Sequence, residues 1–180
     1  MKVIKNKIFT ISLFSIFYLQ AQEKRTFAES IHYYIDINGT SEQYDEAIDQ
    51  LFIMLQNQYE DQQVPEETWE ELKTEKQAAL SQIKLMLASA YRTHFNHNQI
   101  KDCITFYESS AAKQYIEDPT QLSVDDRKTI GDFYNSETGH ILQEKASILS
   151  KECASISENW SSQLYIKMKE KLSEKGYHIN

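Results

Sequence analysis

The chain has 180 residues, a formal net charge of -8, 41% hydrophobic and 26% charged residues, and two cysteines. That length fits one domain with a core that needs no disulfide staples, and the ordinary apolar-to-charged balance excludes disorder as the overall state. The acidic balance excludes nucleic acid as a partner, because phosphates repel it. Adhesion to anionic lipid is disfavoured for the same reason. Four glycines and two prolines are too few for the tight turns of an all-β protein. Gly39, Gly131, Gly139 and Gly176 also lie too far apart to form a phosphate-cradling loop.

The first residues carry Lys2, Lys5 and Lys7 and no acid, and Ile8 to Leu19 follow as an uncharged apolar run. Gln20-Ala21-Gln22 then leads into polar sequence. A basic start, a short apolar middle and a small-residue end predict a secretory signal peptide over residues 1–21, cut between Ala21 and Gln22. The run is short of the roughly 20 residues that span a membrane. The first cysteine is Cys103, so no lipid-attachment Cys stands at the junction. The expected product is a domain of residues 22–180 without a stable membrane anchor. Loss of three lysines takes its charge from -8 to about -11. The expected location is the periplasm, with secretion as the alternative.

Phe27, Ile31, Tyr34 and Ile35 fall at helical spacing and predict a helix over 23–36, ended by the Asn38-Gly39 turn. Ser41 is the expected N-cap of the next helix, whose apolar face carries Tyr44, Ile48, Leu51, Phe52, Leu55 and Tyr59. Pro65 suits the first turn of another helix, with Glu66 and Glu67 favourable at its positive end. That pattern runs from Trp69 to Tyr91, with a break or kink expected near Thr74. Asn96 is placed to cap a helix lined by Ile100, Cys103, Ile104 and Tyr107.

The main organising feature is a repeated Phe-Tyr-x-Ser. Phe106, Tyr107 and Ser109 recur as Phe133, Tyr134 and Ser136, 27 residues later. Three residues past each Ser stands a small residue, Ala112 or Gly139. The pattern predicts a helix that ends on two aromatics, a break, and a Ser that caps the next helix by accepting from the amide at the small residue. The aromatics fill the angle between the helices. Pro119 punctuates the two units, and Ser123 with Asp126 resembles a capping box. After Ser136 one long helix is expected to about Lys175, closed by Gly176. The predicted fold is all-α: a single-domain bundle of about six or seven helices, with this helix-break-helix repeat and a long C-terminal helix.

The ordered set of Asn38 to Tyr44, Val64 to Trp69, Tyr91 to Phe95, Ile100 to Lys113 and Phe133 to Leu172, with Ile156-Ser157-Glu158-Asn159-Trp160, resembles the DUF2059 family of exported bacterial proteins. The resemblance spans most of the mature chain. It implies an all-helical domain in the periplasm of Gram-negative bacteria and carries no established activity. The chain departs from the family pattern after the first Phe-Tyr-x-Ser, where Ser110 and Ala112 stand in place of the usual Pro and Gly.

Candidate chemistry is sparse. His94 and His97, with Asp102 nearby, have a spacing that would share a metal on one continuous helix, but Asn96 is expected to interrupt it. Cys103 and Cys153 fall on apolar faces; an exported location permits a disulfide between them, and two separate buried thiols explain the same pattern. Glu66-Glu67, Glu70-Glu71 and Asp125-Asp126 supply carboxylate pairs that helix starts and solvated faces also explain. Phe106, Tyr107, Phe133, Tyr134 and Trp160 would line a pocket or pack helices together. No cofactor, metal or catalytic set is indicated. The expected role is a non-enzymatic binding module of the envelope, taking a protein, a peptide or an apolar ligand. The alternatives are an enzyme acting on envelope glycan or peptide, and a periplasmic chaperone.

Overall fold

The computed structural model describes residues 25–178. The signal peptide expected over residues 1–21, with its cut between Ala21 and Gln22, lies outside the described residues. Among those described, helices follow one another without a strand. They are α1 (Phe27–Ile37), α2 (Thr40–Gln58), α3 (Glu66–Lys73), α4 (Lys76–His94), α5 (His97–Tyr107), α6 (Ser110–Glu117), α7 (Val124–Tyr134) and α8 (Glu137–Glu174). Short 3-10 turns cover Glu60–Gln62 and Pro119–Gln121. α3 and α4 are the long pattern predicted to break near Thr74; as one kinked helix they bring the count to seven. At the kink the Thr74 hydroxyl donates to the Glu71 carbonyl at 2.6 Å, and the Thr74 and Glu75 amides reach back three residues instead of four.

Side-chain caps place most helix starts. α1 begins at Phe27, later than the apolar spacing suggests, because Thr26 and Glu29 form a reciprocal capping box. Ser41 is not the cap of α2. The helix starts one residue before it, after Gly39 at φ 83, and the Ser41 hydroxyl donates to Asp36 instead. Pro65 stands one position outside α3, and its carbonyl accepts from Thr68 at 3.0 Å. Asn96 caps α5 as expected, with Gln99 returning the bond, and Ser123 with Asp126 does the same for α7. α8 ends with Tyr177 and Gly176 donating to the carbonyls of Leu172 and Ser173, which folds Tyr177 back on the core.

The core sits among α1, α2, α3, α4, α5 and the C-terminal half of α8. Ile31 and Ile35 of α1 meet Ile83 and Leu87 of α4 and Ile100 and Cys103 of α5, all fully buried. On α8, Trp160, Leu164, Met168 and Leu172 form a strip at four-residue steps that packs on α4. Burying each such side chain contributes about 1.5–3 kcal/mol. The Trp160 indole N–H is satisfied inside the core by the Ala79 carbonyl at 3.2 Å. α6 and α7 pack on each other beside this core, and α7 buries no residue fully.

A charged hub clamps the kink. Glu75 lies 2.8 Å from Lys167 and 2.7 Å from Lys171 of α8. Its neighbour Lys76 lies 2.8 Å from both Asp45 and Asp49 of α2. The two lysines hold the Glu75 carboxyl at about 2, below its ordinary 4.5. Because the folded-state value is depressed, this stabilisation is complete above pH 4.5 and disappears as pH falls through about 2. Glu75→Gln is therefore expected to cost on the order of 1 kcal/mol at neutral pH. The variant should also lose less stability than the parent on acidification across that window. Urea unfolding at stepped pH measures both, and parallel acid limbs for the two proteins would contradict the clamp.

Candidate functional site

The two Phe-Tyr-x-Ser units are one structure built twice. In the first, the amides of Glu108 and Ser109 donate to the carbonyls of Ile104 and Phe106 at 2.9 and 3.0 Å. In the second, Asn135 and Ser136 donate to Gly131 and Phe133, both at 3.0 Å. Ser109 then accepts from the Ala112 amide at 3.2 Å, and Ser136 from the Gly139 amide at 3.1 Å. Each partner in the second unit lies 27 positions after its counterpart. The predicted break-and-cap geometry is therefore present in both.

The units differ in tightness. A Cβ on Gly139 would lie 2.2 Å from the Phe133 carbonyl oxygen and 2.7 Å from the Tyr134 backbone, distances that no side-chain adjustment relieves. The first unit carries Ala112 at the matching position, buried at 1% exposure. Gly139→Ala is expected to cost about 1–3 kcal/mol by forcing α7 and α8 apart. Ala112→Gly is expected to lose about 1 kcal/mol through helix propensity instead. Thermal unfolding of both variants checks the contrast, and an unchanged Tm for Gly139→Ala would contradict the close approach.

The aromatics bring the units together. Phe106 and Phe133 stack face to face with centroids 4.1 Å apart and planes 1° apart. Tyr134 packs against both, edge on, at 6.0 and 5.4 Å. Tyr107 meets Phe106 at 5.1 Å and reaches Tyr34 of α1 at 5.5 Å, which ties the stack to the core. Burial first, then the neighbouring Tyr134, pushes the Tyr107 hydroxyl up to about 12.

A groove of about 570 Å³ opens beside this stack. Its walls take matched pairs from the two units: Asp102 with Thr129, Phe106 with Phe133, and Ser109 with Ser136. Thr105, Glu137 and Thr138 complete it. The Thr138 hydroxyl is buried and donates to Asp102 at 2.6 Å, linking α8 to α5. Periodicity at Phe-Tyr-x-Ser alone misses Asp102 and Thr129; extending the 27-residue offset upstream pairs them. No family model, curated protein or solved structure matches this chain.

The remaining sequence candidates go elsewhere. Trp160 belongs to the core, edge-on to Tyr44 at 5.5 Å, and does not line the groove. His94 pairs with Glu152 of α8 at 2.6 Å, while His97 meets Ser30 at 3.0 Å and Phe27 at 5.4 Å between ring centres. With Asp102 on Thr138, these three groups share no partner. Among the described residues no three His, Cys, Asp or Glu side chains are grouped to hold a metal ion. The carboxyls of Glu70, Asp118 and Asp126 are all lowered by local hydrogen bonds, to Lys73, Thr120 and Ser123.

A second cavity, of about 400 Å³, lies between α2, α4 and α8, lined by Thr40, Tyr44, Leu87, Tyr91, Cys153 and Ser157 among others. Tyr44 and Ser157 hydrogen-bond across it. Cys103 and Cys153 are both free thiols, so the bridge considered from sequence is not present in this structure. Burial pushes the Cys103 thiol up to about 12 from 9.0, which disfavours the reactive thiolate. Iodoacetamide is expected to modify half-buried Cys153 first and Cys103 only on unfolding. Mass-spectrometric mapping of a time course tests this, and equal rates would contradict the burial of Cys103.

Proposed function

We propose that this chain is an exported, non-enzymatic binding module of the bacterial envelope, and that the groove between its two Phe-Tyr-x-Ser turns is the recognition site. The observation that carries the proposal is the origin of the groove. Three pairs of equivalent residues from the two repeats face one cavity of about 570 Å³, inside the range of small-ligand and peptide sites. Core packing accounts for Phe106 but leaves Thr105, Thr129 and Glu137 exposed along the cavity. The leader pattern and the resemblance to DUF2059 support a periplasmic address. Among the described residues no helix is long and apolar enough to cross a membrane.

An enzyme acting on envelope glycan or peptide has one observation in its favour, since Asp102 and Glu137 both line the groove beside an aromatic. Thr138 occupies one oxygen of Asp102, however, and holds it as a strut between helices. Binding is therefore the better-supported role.

Thr129→Trp fills the groove from an exposed position and should remove most of what the immobilised protein retains from an envelope extract. Leu85→Ser, at an exposed site outside the groove, should retain the same set as the parent. If Thr129→Trp retains the full set, the groove is not the recognition site.

A further inference from the structure

We infer that the groove takes a cationic side chain, arginine or lysine, presented by a short peptide segment with apolar neighbours. This rests on the groove being the recognition site and adds the chemical class of its occupant.

The hydrogen-bonding inventory of the walls leads to it. Of the five groove hydroxyls, Ser109 accepts from the Ala112 amide at 3.2 Å, and the other four donate inward: Thr105 to Lys101 at 3.0 Å, Thr129 to Asp125 at 3.0 Å, Ser136 to Phe133 at 2.7 Å, and Thr138 to Asp102 at 2.6 Å. The protons of those four are spent, and what they turn outward is lone pairs. The acidic side chains of the wall are Asp102 and Glu137, and no lining residue is basic. The adjoining Lys128 is paired with Asp132 at 2.5 Å. The first-turn amides of α8 are further donors, but Glu137 sits at the first position of that helix and supplies the negative charge its end favours.

The groove is thus rich in acceptors, negative, and floored by the Phe106–Phe133 stack. An anion meets repulsion there, and a neutral apolar ligand leaves the two carboxyl side chains facing it without a cationic partner. A guanidinium or ammonium group supplies several donors and a positive charge, and its aliphatic stem lies along the rings. Apolar neighbours in a peptide extend the contact with the phenyl edges. The chain's net charge of -8 draws such a ligand in.

The test uses three labelled peptides, acetyl-Leu-Arg-Leu-amide and its versions with citrulline or glutamate in place of arginine. Affinity is read by fluorescence anisotropy and position by amide shifts of the isotopically labelled protein. The arginine peptide should bind at least about tenfold more tightly than the citrulline peptide, lose affinity with added salt, and shift the amides of Thr129, Glu137 and Thr138. Asp102→Asn with Glu137→Gln should abolish the preference. Asparagine still accepts from Thr138, and circular dichroism checks that the pair of changes leaves the fold intact.

Equal binding of the citrulline peptide at the same amides overturns the cationic class and leaves the groove as the recognition site. Binding of the arginine peptide that shifts other amides, unaffected by the double variant, overturns the inference as well. If none of the three peptides shifts a groove amide, both the occupant and the groove reading fall.

Discussion

The seam between α4 and the C-terminal half of α8 is the contact on which the rest depends. Trp160, Leu164, Met168 and Leu172 repeat at four-residue steps, so they form one stripe along the helix. Opposite them, α4 contributes Ala79, Ile83 and Leu87. α8 is 38 residues long, about 57 Å at the helical rise. Its C-terminal half is fixed in the core, and along its N-terminal half Ile141, Leu142, Leu149 and Cys153 pack against the same core on the way to the second Phe-Tyr-x-Ser break. The position of Ser136, Thr138 and Gly139 relative to α5 is set by that helix. The hub at Glu75 reinforces the same seam, since both of its lysines lie on α8.

The other wall of the groove has a different support. α5 packs on α1, and Tyr107 and Tyr33 tie the first break to that helix through the Tyr34 ring and the Glu108 carboxylate. The groove therefore lies where two separately anchored helices meet, bridged by the Phe106–Phe133 stack and the Thr138–Asp102 bond. The α6–α7 pair loops out between them with little buried surface of its own. Gly139 sets how close the second break comes. Ala112 at the equivalent place shows that the first unit leaves room for a methyl group, so the two repeats share hydrogen bonds without sharing packing distance.

Much of the bundle was legible in the sequence for local reasons. Asn96, Ser109, Ser123 and Ser136 cap the helices they were expected to cap, because a cap is a contact within four residues. The kink near Thr74 and the long final helix are equally local. Ser41 shows the limit: its type suits a cap, but Asp36 competes for its hydroxyl from the preceding helix. α1 shows the converse, since periodicity alone placed its start too early while the Thr26–Glu29 box set it. The stack of Phe106 on Phe133 was half legible. The repeat indicated equivalent environments, but equivalence in sequence does not require contact in space. The 27-residue offset reaches Asp102 through its match with Thr129, but its bond to Thr138 is tertiary and has no signal in the spacing. Trp160, grouped with the other aromatics by type, belongs to a different part of the fold for the same reason.

The electrostatics follow from this arrangement. Acids at helix starts, such as Asp125, Asp126 and Glu137, satisfy the positive end of each helix dipole and need no ligand for their stability. What distinguishes the groove is the direction of its hydroxyls. Ser and Thr residues near helix ends donate to carbonyls one turn back, as Thr105, Thr129 and Ser136 do along the groove, while Thr138 donates across to the Asp102 carboxylate. Together these bonds occupy four of the five hydroxyl protons that line the cavity. A repeat that begins as a way of turning the chain twice thus leaves a negative, acceptor-lined recess at the place where the two turns meet. Its acceptor lining is in large part a consequence of how the turns are made, with Asp102 and Glu137 adding the charge.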